Sequence, residues 1–148
     1  MSPDKEKKRV LVVEDDKAIR SMISNIIGAK GFDVVQAVDG EEALKLVDEA
    51  DVVLLDLFMP KMTGEEFLQR VRKAGNYVPV VVMSAGYGKK EGIDKLKSYG
   101  IVDFIPKPFS NKEVSDKVAH AAGQADEMKF VGIATDRLKG FIERQKAL

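Results

Sequence analysis

Carboxylates, a hydroxyl and an ammonium recur in this chain directly after short apolar runs. Glu14-Asp15-Asp16 follows Val10-Leu11-Val12-Val13, and Asp56 follows Val52-Val53-Leu54-Leu55. Ser84 follows the run from Val78 to Met83, and Lys107 closes the stretch that begins with Ile101 to Ile105. Clustered carboxylates repel one another unless a cation joins them. With oxygen donors and no cysteine in the sequence, the natural cation is Mg²⁺, or Mn²⁺ in its place. Lys107 can neutralise further negative charge, and the Ser84 hydroxyl can donate to an incoming oxyanion. Such parts suit phosphoryl transfer, in which positioning and charge neutralisation do most of the work. An aspartate carboxylate can be the nucleophile of that reaction.

Each residue also has a plainer explanation. A carboxylate just after a strand is often the N-cap of the next helix, and that explanation is preferred for Asp16. A lone Ser or Lys at a strand end is more often structural. Asp51 begins its strand, at the far edge of the sheet, and reads as a loop residue. The joint placement of Glu14, Asp15, Asp56, Ser84 and Lys107 is what favours chemistry.

The elements that must position these residues follow from the apolar spacing. The runs at Val10–Val13, Phe32–Ala37, Val52–Leu55, Val78–Met83 and Ile101–Ile105 are apolar at consecutive positions, which predicts strands covered on both faces. Between them, Ile19, Met22, Ile23, Ile26 and Ile27 mark one helix, and Ala43, Leu44 and Val47 the next. Phe67, Leu68 and Val71 mark a third, Ile93, Leu96 and Tyr99 a fourth, and Val114, Val118 and Ala121 a fifth. Thr63 with Glu66, and Ser110 with Glu113, have capping-box spacing. Gly28, Gly31, Gly40, Gly75 and Gly100 punctuate the boundaries. The pattern is βα repeated over residues 8 to 122. Right-handed crossovers then place helices on both faces of a parallel sheet, with the working edge at the carboxyl ends of the strands.

Composition narrows the function classes. The chain has 148 residues, enough for one domain with a short appendage, and 24 basic residues balance 24 acidic ones. Zero net charge argues against general binding to nucleic acid or an anionic membrane. The absence of cysteine excludes disulfides, thiolate metal sites and cysteine nucleophiles, and the single histidine, His120, excludes a histidine-rich metal site. No apolar run approaches the roughly 20 residues that span a bilayer. The charged start, Met1 to Arg9, lacks the apolar stretch of a signal peptide. The expectation is a soluble, cytoplasmic protein.

The residues at the strand ends resemble, in order, the receiver domain of two-component response regulators. The likeness runs through Val10–Asp16, Asp51–Pro60 with Gly64, Val80–Gly86 and Asp103–Phe109. The resemblance implies an α/β, flavodoxin-like (βα)5 sandwich with a parallel sheet of order 2-1-3-4-5. It implies that Asp56 is the phosphoacceptor, served by a sensor histidine kinase or a histidine phosphotransfer protein. Asp15 would bind Mg²⁺ directly, Glu14 through water, and Phe58 through its backbone carbonyl. Ser84 and Lys107 would contact phosphoryl oxygens, with the Lys107–Pro108 peptide cis. In the family's switch, Ser84 moves toward the phosphoryl group and an aromatic, here Phe104, fills the space, reshaping a face for a downstream protein target or output domain. Such a chain catalyses its own phosphorylation and dephosphorylation and turns over no separate substrate.

Three departures from the family pattern carry expectations of their own. Glu14 replaces the commoner Asp and keeps the charge, so metal binding should survive. Phe58 and Gly86 stand where neighbouring side chains border the phosphoryl group, and neither can position a water, which points to a long-lived phosphoryl state. Pro106 removes a backbone donor, tolerable at a sheet edge. Residues 1–122 read as the receiver domain and 123–148 as a C-terminal extension. In the latter, Val131, Ala134, Leu138, Phe141 and Leu148 share a face, weakened as a helix by Gly132 and Gly140. That segment is expected to pack back, to pair two copies, or to link to a further domain.

Other families share parts of this pattern. A haloacid-dehalogenase-type phosphatase needs a second Asp two residues after the nucleophile, where this chain has Phe58. A dinucleotide-binding domain needs a G-x-G-x-x-G that is absent after the first strand. A pseudo-receiver usually lacks the acidic pair, the acceptor or the lysine, all present here. A receiver half of a transcription factor is compatible with every residue above.

Overall fold

The computed structural model describes residues 7–85 and 90–126, with the backbone alone for 90–93. Strands β1 (Arg9–Val13), β2 (Asp33–Ala37), β3 (Val52–Asp56), β4 (Val80–Ser84) and β5 (Asp103–Pro106) alternate with helices. These are α1 (Lys17–Ala29), α2 (Gly40–Leu46), α3 (Gly64–Lys73), α4 (Lys90–Lys97) and α5 (Asn111–Gly123), and a 3₁₀ turn, Val47–Glu49, continues α2. All strand pairs are parallel and the order is β2-β1-β3-β4-β5, as the resemblance implied.

Consecutive apolar positions divide between two cores because successive strand side chains point to opposite faces. Leu11, Val13, Val53, Leu55, Val80 and Val82 face Phe67, Leu68 and Val71 of α3 and Leu96 of α4. Val10, Val12, Val52, Leu54, Val81 and Met83 face Ile23 and Ile27 of α1 and Val114 and Val118 of α5. The central strands β3 and β4 are buried at every position.

Local signals place the helix starts. Asp16, Asp39, Thr63 and Ser110 each accept a hydrogen bond at an N-cap. Ser110 and Glu113 form the full reciprocal box, whereas Thr63 contributes the hydroxyl half. Asp51 does more than occupy a loop, since its carboxylate accepts the Arg9 N–H at 2.8 Å and caps the start of β1. Met22 belongs to the apolar spacing that marks α1 without being buried. It lies at the margin of the α1 stripe, 45% exposed, while Ile23 and Ile27 are buried. Gly28 lies inside α1 rather than at its boundary. Strands β4 and β5 begin two residues later than the apolar runs, because Pro79 and the Ile101–Val102 segment precede the regular ladder.

The free edge of β5 is closed by side chains. The Lys107 N–H bonds the Ser84 carbonyl across the ladder, so positions 105 and 107 face β4 and positions 104 and 106 face outward. At Phe104 the outward N–H donates to the Asp103 carboxylate at 2.8 Å, and the outward carbonyl accepts from the Lys117 ammonium at 2.6 Å. Asp103 and Lys117 are themselves 3.4 Å apart. Position 106, the next outward one, is proline and has no N–H, so the sequence's apparent irregularity falls where it removes no ladder bond.

Beyond α5, Ala125 is buried and Asp126 pairs with Lys8 at 3.1 Å. The expected amphipathic face from Val131 to Leu148, and Gly86, lie outside the described residues. Among the described residues, no helix is long and apolar enough to cross a membrane.

Candidate functional site

Strand order brings the polar strand ends together. Strand β3 lies between β1 and β4, with Leu55 paired to Val13 and Asp56 to Met83. Glu14 and Ser84, one residue beyond those partners, therefore flank Asp56, and all three are buried. Strand β5 follows β4 and delivers Lys107, whose peptide to Pro108 is cis.

Carboxylate oxygens of Glu14, Asp15 and Asp56 all lie within 4.8 Å of one another. Asp15 is exposed, so the cluster opens to solvent on one side. The Lys107 ammonium sits 3.4 Å from Glu14 and 3.6 Å from Asp56, a cation shared by both. The Phe58 N–H donates to Asp56 Oδ1 at 3.2 Å, which fixes the carboxylate on the side away from its Oδ2 contact with Lys107. The Phe58 side chain is 58% exposed.

Electrostatics expresses the same crowding. Burial pushes the Glu14 carboxyl up to about 8, helped by a hydrogen bond with Asp56 and by that residue's charge, and opposed by Lys107. One ammonium thus does not balance the carboxylates around it. A cluster of carboxylate oxygens with a charge deficit fits a hard divalent cation of the Mg²⁺ type. Glu14, Asp15 and Asp56 are the side chains that would hold it.

The start of α3 closely borders the end of β3. The Gly64 N–H bonds the Leu57 carbonyl at 3.0 Å, and a Cβ at Gly64 would meet the Asp56 carbonyl oxygen at 2.7 Å. Only glycine lets the helix start this near the end of β3.

Of the residues expected in the site, the fold gathers Glu14, Asp15, Asp56, Ser84 and Lys107 at one sheet edge, with the Phe58 backbone beside them. Phe104 stands apart, half-buried on β5 against the α3–α4 side of the sheet, bordering a shallow groove with Lys97 and Ile101. One contributor escaped sequence reasoning. Arg20 of α1 reaches back over the acidic loop, donating to the Glu14 carbonyl at 2.9 Å and the Asp15 carbonyl at 3.3 Å. Its signal was available: a cation in the early turns of a helix opposes the macrodipole and calls for another reason.

Comparison with known proteins adds an independent finding. The family model described as response regulator receiver domain matches residues 10–119. The uncharacterized transcriptional regulatory protein YcbL of Bacillus subtilis (strain 168) is 37% identical over 121 residues, covering 79% of this chain and 52% of that protein. The transcriptional regulatory protein CpxR of Escherichia coli (strain K12) is 33% identical over 111 residues, covering 74% and 47%. The chain thus spans about half the length of these curated relatives. Among solved structures, the receiver domain of the Francisella response regulator 1452 superposes with a TM-score of 0.74 at 34% identity, covering 80% of this chain and 98% of that one. The Vibrio cholerae chemotaxis protein CheY4 gives 0.73 at 30% identity, covering 78% and 99%.

Proposed function

The chain belongs to the response regulator receiver domain family, a family of signalling modules, and from that premise we propose that Asp56 is the phosphoacceptor of a phosphorylation-activated switch. The observation that carries this reading is the buried Asp56 carboxylate held between the Lys107 ammonium and two further carboxylates at the carboxyl edge of the sheet.

In the proposed reaction, an Asp56 carboxylate oxygen attacks the phosphorus of a phosphohistidine on a sensor kinase or phosphotransfer protein. The bond between phosphorus and imidazole nitrogen breaks, its electron pair returns to the imidazole, and an acyl phosphate forms on Asp56. Asp15, Asp56, the Phe58 carbonyl and, through water, Glu14 would hold Mg²⁺ at the carboxylate cluster, and the ion would supply neutralisation of the phosphoryl oxygens. Lys107 already contacts Asp56 and remains to pair with the added charge. The Phe58 N–H holds the other carboxylate oxygen in place, so attack needs little reorganisation. Ser84 donates to a phosphoryl oxygen.

Phosphorylation adds close to two negative charges at Asp56. Ser84 and Phe104 then rearrange, and the face around β5 changes for a downstream protein target or output domain. The exposed Phe58 ring offers no group to orient a hydrolytic water, which favours a long-lived phosphoryl state. We assign 1–122 to the receiver and 123–148 to a C-terminal extension that packs back, pairs two copies or links to a further domain, in a cytoplasmic protein that acts by protein contact.

The deciding experiment is intact-mass spectrometry after incubation with Mg²⁺ and acetyl phosphate, comparing the wild type with Asp56→Ala. A single phosphoryl adduct that requires Mg²⁺ and is absent from Asp56→Ala is expected. A folded protein that forms no adduct and binds no fluoroberyllate is instead a phosphorylation-independent interaction module.

A further inference from the structure

Arg20 is tied by three hydrogen bonds to two parts of the fold, the loop after β1 and strand β2. Its Nη1 donates to the Glu14 and Asp15 carbonyls, and its Nε donates to the Gln36 side-chain oxygen on β2 at 3.1 Å. The same loop is held from the other direction by the Glu14 N–H, which bonds the Ala37 carbonyl at 3.1 Å. The segment that carries two of the clustered carboxylates is thus pinned at its backbone by one guanidinium and one neighbouring strand.

Two local penalties oppose a cation here. It sits near the positive end of the α1 dipole, and it stands beside a site whose occupant would also be positive. A planar fork holds its donors at fixed and separated positions that meet two carbonyls and an amide oxygen on different segments, a spread that a compact ammonium does not reproduce. We infer that Arg20 is a positioning residue, holding the Glu14–Asp16 loop in the geometry that a divalent cation requires. The inference rests on the reading of the carboxylate cluster as a Mg²⁺ site.

The sign of one measurement separates positioning from charge. If Arg20 acted only through its charge, Arg20→Met would bind Mg²⁺ more tightly, because a repelling cation has been removed, and Arg20→Lys would match the wild type. If it positions the loop, Arg20→Met binds about tenfold more weakly, the size expected when an outer partner of a metal site is lost. Arg20→Lys, keeping the charge and at most part of the fork, falls between. The affinities are read by isothermal titration calorimetry with Mg²⁺ alone, on variants whose circular dichroism and thermal midpoints confirm the fold. Amide hydrogen exchange of the metal-free proteins provides the second readout, with faster exchange expected across Glu14–Asp16 in both variants and unchanged exchange in β3 and β4. Equal or tighter Mg²⁺ binding by Arg20→Met, or unchanged exchange in that loop, overturns the role of Arg20. A wild type that takes up no Mg²⁺ overturns the proposed function itself, a result distinct from either.

Discussion

Glu14 and Asp56 are adjacent buried carboxylates, and their proximity has a measurable consequence in the metal-free protein. Burial, with Asp56 second, raises the Glu14 carboxyl from 4.5 to about 8, so the folded chain holds a proton that the unfolded chain releases. The folded state binds more protons across that window, and stability therefore falls as pH rises from about 4.5 to about 8. Urea unfolding without metal should show this decline, and Glu14→Gln should flatten it. Asp56→Asn follows the same logic. Removing the neighbouring charge relieves Glu14, so the metal-free variant should be more stable at pH 8 by about 1 kcal/mol while forming no phosphoryl adduct. A functional carboxylate kept at the expense of stability is the expected signature.

At the scale of elements, one joint sets α3 against the site and a second ties the opposite edge of the sheet. Gly64→Ala drives a Cβ against the backbone oxygen of Asp56, which cannot yield, and should destabilise by about 2 kcal/mol and slow phosphoryl uptake from acetyl phosphate. Gly40→Ala is the comparison, because its close neighbours are the Sδ, Cβ and Cγ atoms of the Met62 side chain at 2.8 to 3.0 Å and not backbone, and its effect should be smaller. The second joint is Arg72 at the end of α3, which donates to the carbonyls of Tyr99, Val78 and Asn76 at 2.6, 2.8 and 3.0 Å. Burial lowers its guanidinium to about 10, still charged at neutral pH. Arg72→Ala leaves several part-buried carbonyls without their donor and should cost about 3 kcal/mol by urea unfolding. These joints also mark the limit of what the sequence reveals. The strands, their order by resemblance, and Glu14, Asp15, Asp56, Ser84 and Lys107 were legible because apolar runs ending in polar residues are local patterns. Arg72 was not, since its Tyr99 partner is brought near only by the folded topology. For Arg20 the sequence offered a cation in an early helical turn, but not the loop carbonyls and Gln36 side chain that it binds. Spacing located the α1 stripe through Met22 but not the exposure of that residue at its margin.

For the molecule as a whole, the clustered side chains come from Glu14, Asp15, Asp56 and Lys107, far apart in sequence and together only when β1, β3 and β5 are in place. A cation bound there binds the folded state alone, so its binding free energy adds to stability. Thermal and urea midpoints at pH 7.5 should rise with Mg²⁺, by about 2.7 kcal/mol when its free concentration is about 100 times Kd. Asp15→Asn should blunt that gain.

The closed edge of β5 bears on how the molecule can acquire new partners. With Asp103 and Lys117 occupying the Phe104 backbone and Pro106 offering no donor, another chain has no row of amides to zip onto. Any contact along this side would have to be made by side chains alone. The vocabulary of such contacts can then change one substitution at a time, insulating one signalling pair from its paralogues without exposing a strand that would recruit the wrong neighbour or seed a fibre.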